Sequence, residues 1–184
     1  MFEWMAAANF DWSRVGLYWV DERCVPPDHA DSNYRMTREA LLDHVSPASV
    51  HRIETEFPPE EAARRYAAEL PEAFDVIHLG MGADAHTASL FPGLVEVHDR
   101  EKTVAAVYVP KLKAHRVTLM PRVLLAAREL VILVTGADKA ETLRDVLTEP
   151  EDFDRRPAQL VARRAWFADP AAASLIDRTA DPSL

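Results

Sequence analysis

The residue types best suited to chemistry fall into three short segments, each placed directly after an apolar run. They are an acid pair and a cation after the first run, an acid and an imidazole after the second, and a cation after the third: Asp21, Glu22 and Arg23, then Asp84 and His86, and finally Lys139. In open α/β sheets, ligands bind beyond the carboxyl ends of the strands, so we expect these side chains to converge. Together they suit a site that binds an anion and moves a proton.

His86 is the candidate general base. It lies two residues after Asp84, at a strand end relieved by Gly80 and Gly82. A neutral imidazole held there could take a proton from water, with the carboxylate fixing its tautomer or stabilising the imidazolium. The alternative is a surface or packing residue, since the chain contains 7 histidines.

Arg23 and Lys139 are the candidate anion ligands. Lysine at a helix start is poorly placed for the helix dipole, and an anion in front of that helix would remove the objection. Arginine in a polar strand end similarly suits charge-assisted contacts to a phosphate or carboxylate. The alternative for Lys139 is a solvated surface lysine.

A dinucleotide-binding site is the main competing interpretation. Gly80–Ala85 fits the pattern GxGxxA after a strand. That fingerprint requires a long helix whose first turn faces a pyrophosphate. Pro92 and Gly93 end the segment within two turns, which disfavours the nucleotide interpretation.

Three further kinds of site are weaker. Cys24 beside Arg23 could act as a nucleophile, although a lone cysteine is more often a small buried apolar residue. Ser89 lacks the GxSxG pattern of a nucleophile elbow. Asp84, His86 and another acid could bind a metal, but their spacing matches no ligand motif.

The elements that must position these residues alternate along the chain. Apolar runs predict strands at 16–20, 75–79, 103–109 and 130–134, with a weaker one at 166–167. Capping residues and prolines predict helices from 31 or 32 to 45, 58–70, 123–127, 136–147 and after Pro170. This order indicates an α/β fold with a largely parallel, Rossmann-like sheet flanked by helices.

Composition excludes several classes of protein. The 184 residues are 48% hydrophobic and carry a net charge of −9, which disfavours nucleic-acid binding. The chain has 1 cysteine, which suits a reducing compartment, and the sequence shows neither a signal peptide nor a membrane span. We therefore predict a cytoplasmic protein without nucleic-acid or membrane partners; its oligomeric state is not predicted.

Two motifs resemble the 6-phosphogluconolactonase family, in the glucosamine-6-phosphate isomerase/deaminase-like superfamily. Asp21–Pro26 with Asp31–Tyr34 resembles the family's DERxVP…SN pattern, and Gly80–Gly93 resembles GMGxDGHTASLFPG. Weaker matches are Arg116–Leu119, Gly136–Ala140 and Pro157–Leu160. The related deaminases continue differently after the histidine, so Thr87–Gly93 favours the lactonase branch.

The resemblance implies hydrolysis of 6-phosphogluconolactone to 6-phosphogluconate, in the pentose phosphate pathway, without a metal or organic cofactor. It implies a base with a supporting carboxylate, an acid near the sugar ring, and three phosphate ligands. These are His86 with Asp84, then Asp21, and finally Arg23, Lys139 and Arg116.

The sequence departs from the family pattern in two places. Ala85 stands where the family has glycine immediately before the histidine, and Phe2–Asn9 resembles the helix that follows a GGSTP-type phosphate loop. We therefore expect one domain over 1–184, truncated at its N-terminus and lacking the first strand, with a polar tail at 178–184. The alternatives are a catalytically impaired sugar-phosphate-binding paralogue or fragment, a deaminase-like enzyme, or an NAD(P)-binding oxidoreductase.

Overall fold

The computed structural model describes residues 1–176, so the predicted polar tail at 178–184 lies outside the described residues. The strands are β1 (Gly16–Tyr18), β2 (Asp21–Arg23), β3 (Ser49–His51), β4 (Val76–Gly80), β5 (Val104–Val109), β6 (Ala114–Leu119), β7 (Glu129–Val134) and β8 (Ala165–Ala168). The α-helices are α1 (Phe2–Ala7), α2 (Asn33–Thr37), α3 (Pro59–Glu69), α4 (Pro121–Ala126) and α5 (Ala140–Thr148).

The strands form three small sheets within the described residues. β1 pairs with β3 in parallel, and β4, β7 and β8 form a parallel sheet in that order. β2, β6 and β5 form an antiparallel sheet that the sequence did not predict. The turn before β6 contains Lys113 with φ +50°, and no glycine or asparagine marks it. The α/β class with parallel sheets and flanking helices is confirmed.

The chain divides into two compact units. Unit 1 contains Met1–Pro71 and Val104–Leu119; unit 2 contains Glu72–Thr103 and the residues from Met120 onward. The single domain over 1–184 and the absence of a first family strand stay predictions.

Unit 1 is organised around a buried tyrosine. Tyr66 of α3 is 1% exposed, and its hydroxyl accepts from the Trp19 amide and donates to the Trp19 carbonyl, both at 2.8 Å. The helix begins at Pro59, and its first turn carries acidic residues, which are stabilised by the positive end of the helix dipole. The α3 helix thereby fixes the chain immediately before Asp21.

Unit 2 is organised around its parallel sheet. Ile77 and Leu79 of β4 face the core, opposite the buried side chains of Leu130 and Ile132 on β7. β4 ends at Gly80, where the candidate histidine loop begins.

Two predicted helices are wrong in part. Ser32 caps α2 through its hydroxyl, as predicted, but α2 ends at Thr37 and a π-helical turn follows over Arg38–Leu42. After Pro170 the chain forms turns rather than a helix, although the Asp169 carboxylate accepts from the Ala172 amide as a helix N-cap would.

Candidate active site

The loop after β4 folds back on itself before it reaches His86. The Gly82 amide donates to the His86 carbonyl at 2.9 Å, and the Ala85 amide donates to the Gly82 carbonyl at 3.0 Å. The Thr87 hydroxyl donates to the Gly80 carbonyl at 2.9 Å. These bonds form a tight turn rather than a helix, so the first turn required by a dinucleotide fingerprint does not follow Gly80–Ala85.

Two contacts from distant sequence hold this loop in place. The Ala158 amide donates to the Ala85 carbonyl at 2.9 Å, and the Thr142 hydroxyl of α5 donates to the Ala83 carbonyl at 2.7 Å. Thr142 was not predicted as a site residue, because a single threonine on a helix belongs to no recognisable motif. It matched Pro157–Leu160 as a motif but assigned no role to Ala158.

Asp84 and His86 are in contact with each other, as the sequence predicted. The Asp84 Oδ1 atom lies 2.5 Å from His86 Nδ1, and the two side chains are 32% and 30% exposed. An ionised carboxylate only accepts hydrogen bonds, so Nδ1 carries the proton and Nε2 carries the lone pair. Phe91, itself 3% exposed, stacks on the imidazole with centroids 4.2 Å apart. The pair is therefore oriented on one edge and one face.

Two small residues decide whether the imidazole fits. Ala85 has φ +64°, in the left-handed region where glycine is favoured, and it is 2% exposed. A Cβ on Gly82 would overlap the His86 ring and lie 2.7 Å from Asp84 Oδ1. Gly82 matches the family motif and Ala85 departs from it, and the structure shows that both positions favour glycine.

Asp21, Arg23 and Arg116 lie together on unit 1. Arg23 of β2 is the register partner of Arg116 on β6, and Asp21 Oδ2 lies 3.8 Å from Arg116 Nη1. Burial, followed by the charge of Arg23, lowers the pKa of Arg116. Like charges opposite each other on paired strands are destabilising, so this pair favours an anion between the guanidiniums.

Glu22 holds the Arg23 segment in place, and sequence analysis assigned it no role. It is 2% exposed, and its carboxylate accepts from the Ser32 hydroxyl at 3.0 Å and from the amides of Asn33 and Tyr34 at 2.8 and 2.7 Å. It also accepts from the Arg23 amide at 2.8 Å. A buried acid at the first turn of α2 suits the helix dipole.

Lys139 is placed differently from the other predicted site residues. It ends a 3₁₀ turn at Ala137–Lys139, directly before α5, and its Nζ atom donates to Asp138 Oδ2 at 2.8 Å. That hydrogen bond lowers the pKa of Asp138. Asp138 thus compensates the charge of Lys139 at the start of α5. The sequence had predicted an external anion in that role.

Cys24 has the properties of an inert thiol. Burial, followed by the charges of Glu22 and Glu60, raises its pKa to about 11. A thiol with that pKa is neutral near pH 7, when the thiolate would be the nucleophile. The structure therefore argues against Cys24 as the nucleophile.

No group of three or more metal-binding side chains occurs among residues 1–176. Nor does any helix in that part of the chain have the length and apolar composition to cross a membrane.

Known proteins share both the sequence pattern and the fold of this chain. The sequence model described as glucosamine-6-phosphate isomerases/6-phosphogluconolactonase matches residues 1–168. The chain belongs to this family. The family predicted from the motifs is thereby confirmed.

Its relatives include proteins named 6-phosphogluconolactonase. The one from Treponema pallidum is 39% identical over 77% of this chain and 64% of its own length. The human protein is 41% identical over 89% of this chain and 69% of its own length. The chain thus spans less than two thirds of the Treponema relative.

Solved structures agree with the fold. The 6-phosphogluconolactonase of Thermotoga maritima has a TM-score of 0.80 and 30% identity, covering 91% of this chain and 78% of its own. That of Leishmania guyanensis has a TM-score of 0.83 and 26% identity, covering 96% and 81%. A monomeric glucosamine-6-phosphate deaminase, 19% identical with a TM-score of 0.77, shares the fold.

Proposed function

We propose that this protein hydrolyses 6-phospho-D-glucono-1,5-lactone to 6-phospho-D-gluconate. The observation that carries the proposal is the Asp84–His86 pair, with its 2.5 Å contact and fixed tautomer, in a loop that matches the lactonase motif. The names of the relatives support the same activity.

The reaction needs one base and no external co-reactant except water. His86 Nε2 takes a proton from water as the water oxygen attacks the lactone carbonyl, and Asp84 stabilises the imidazolium. The tetrahedral intermediate then expels the ring oxygen, which receives that proton, and the ring opens to a carboxylic acid. Because a lactone is already an activated ester, a positioned base accounts for much of the rate.

The proposed phosphate ligands are cationic side chains. Arg23 and Arg116 present adjacent guanidiniums, whose mutual repulsion a phosphate dianion would offset. Lys139 is the third proposed phosphate ligand, and Asp21 is the proposed contact to the sugar ring. Phosphate binding positions the carbonyl through remote binding energy.

The first experiment is a lactonase assay of the 184-residue chain. Loss of the lactone is followed by NMR and compared with its rate of spontaneous hydrolysis. We expect His86→Gln to lower kcat by about 10²–10⁴-fold with an unchanged circular dichroism spectrum. The matched control is His98→Gln, because His98 also contacts an aspartate but lies exposed beside Asp154. We expect that control to keep wild-type kcat.

If a folded wild-type sample does not accelerate hydrolysis of the lactone, the proposed lactonase activity is contradicted. In that case, binding of 6-phosphogluconate by calorimetry would identify the catalytically impaired sugar-phosphate-binding alternative.

A second experiment tests the guanidinium pair. We expect Arg116→Ala to raise KM and to lower kcat/KM, because the lost phosphate contact weakens binding of the substrate in both the ground state and the transition state. Arg122→Ala is the control, since Arg122 is exposed and donates to the Glu101 carbonyl. An unchanged KM in folded Arg116→Ala would remove Arg116 from the phosphate site.

A further inference from the structure

A second histidine of unit 1 lies between a serine and a glutamate. His51 Nε2 is 3.0 Å from the Ser49 hydroxyl oxygen, and His51 Nδ1 is 3.0 Å from Glu69 Oε2. Ser49 and His51 lie two residues apart on β3, so their side chains share one face, and Glu69 ends α3. None of these residues belongs to the proposed lactonase machinery.

The hydrogen-bond roles at this cluster are set by the carboxylate. Glu69 can only accept when ionised, so it takes the proton on His51 Nδ1, and Nε2 then accepts from the Ser49 hydroxyl. This is the order of donors and acceptors in a nucleophile–base–acid triad, which is recognised by geometry rather than by sequence position.

Two neighbours hold the imidazole and leave space for the hydroxyl. The Tyr18 ring stacks on His51 with centroids 4.4 Å apart and an interplanar angle of 4°. Gly16 is the register partner of Ser49, and a Cβ at Gly16 would lie 3.0 Å from the Ser49 hydroxyl oxygen. The base is therefore oriented by a ring and a carboxylate, and the nucleophile faces a residue without a side chain.

We propose that Ser49, His51 and Glu69 form a second hydrolytic site, which takes small activated carboxylic esters. The Ser49 oxygen attacks the acyl carbon as His51 Nε2 takes the hydroxyl proton. The carbon–oxygen bond to the leaving group then breaks, and the leaving alcohol or phenol departs with that proton. Water, deprotonated by His51, hydrolyses the acyl-serine to a carboxylic acid and restores the hydroxyl.

The exposure of the cluster selects the substrate class. The His51 and Glu69 side chains are 28% and 42% exposed, so water screens the charges that develop during attack. A screened triad suits esters whose leaving group departs readily, such as aryl esters, rather than peptides.

The test uses the full chain carrying His86→Gln, so that the lactonase histidine contributes nothing. The probes are p-nitrophenyl acetate and a fluorophosphonate, with the modified residue located by mass spectrometry of tryptic peptides. We expect a phosphonyl adduct on Ser49 and a loss of ester hydrolysis of about 10²-fold in Ser49→Ala and in His51→Gln. The control is Ser46→Ala, an exposed serine nearby on the chain, which keeps the rate.

Absence of an adduct on Ser49 in the folded protein would overturn the proposal, as would equal ester hydrolysis with and without the Ser49 hydroxyl. The adduct is measured on the chain with Ser49 present, so it does not depend on the folding of Ser49→Ala. Lactonase activity with His86 restored is expected to survive Ser49→Ala, so failure of this site is distinguishable from failure of the lactonase.

Discussion

At the scale of single residues, the candidate base is oriented by a carboxylate and follows a residue with a strained backbone. Asp84 orients the His86 imidazole through Nδ1, while Ala85 between them takes φ +64°. An L-residue in that conformation is less stable than glycine, because its Cβ approaches the following carbonyl. The histidine loop therefore carries a local cost that a glycine would remove.

We expect Ala85→Gly to raise the free energy of unfolding by about 1 kcal/mol, since the relief of strain exceeds the added entropy of the unfolded chain. Urea denaturation of the wild type and the variant measures it. The matched control is Ala83→Gly, because Ala83 lies in the same loop without a positive φ and is expected to lose stability. Equal changes in the two variants would contradict the strain at Ala85.

At the scale of elements, the loop after β4 depends on close approach between backbone and ring. Gly82 leaves the space that the His86 imidazole occupies, while Gly80 has only the Leu133 carbonyl oxygen, at 3.9 Å, near its missing Cβ. Thr142 of α5 and the Ala158 amide then fix the loop from outside. The position of the His86 imidazole therefore depends on the conformation of the whole loop.

We expect Gly82→Ala to lower lactonase kcat by about 10²-fold, because the new Cβ displaces the imidazole by roughly an ångström from its working position. Steady-state kinetics with the lactone measure it. Gly80→Ala is the control, since its Cβ would make only an ordinary contact, and it is expected to keep kcat within a few-fold. A wild-type kcat in Gly82→Ala would show that the ring position does not matter.

At the scale of the whole molecule, burial of weak acids sets the response to alkaline pH. Burial raises the pKa of Cys24 from its ordinary 9.0 to about 11, and it also raises the pKa of Tyr66. Both groups stay protonated in the folded state at a pH where the unfolded chain releases their protons. The stability that these two protonated groups contribute is therefore fully present below pH 9 and is lost as the pH rises above it.

We expect the free energy of unfolding to fall between pH 9 and pH 11, and Cys24→Ala to flatten the first part of that fall. Urea midpoints at half-unit steps of pH measure both curves. Parallel curves for the wild type and Cys24→Ala would contradict the buried thiol as a source of the alkaline loss.

Much of the site was predictable because its residues stand in local motifs. Asp84 and His86 are two residues apart, so a single turn brings them together, and the glycines that permit the turn lie beside them. Arg23 was predicted from its position after an apolar run, whereas Arg116 was found by motif alone. Their adjacency depends on the antiparallel pairing of β2 with β6, two strands far apart in the sequence, which no local pattern records. The cytoplasmic location stays a prediction.

The sequence by itself determined the family, the alternation of strands and helices, and the identity of the candidate base and its carboxylate. The family follows from the resemblance of two local motifs, whereas the alternation of elements and the candidate pair follow from apolar periodicity and short-range spacing. Only the tertiary structure decided that Glu22 orders the Arg23 segment, that Lys139 pairs with Asp138, and that Ser49, His51 and Glu69 share hydrogen bonds. The contacts of Glu22 with Asn33 and Tyr34 and of Glu69 with His51 join residues more than ten positions apart. The pairing of Lys139 depends on side-chain direction, so no local pattern records these contacts.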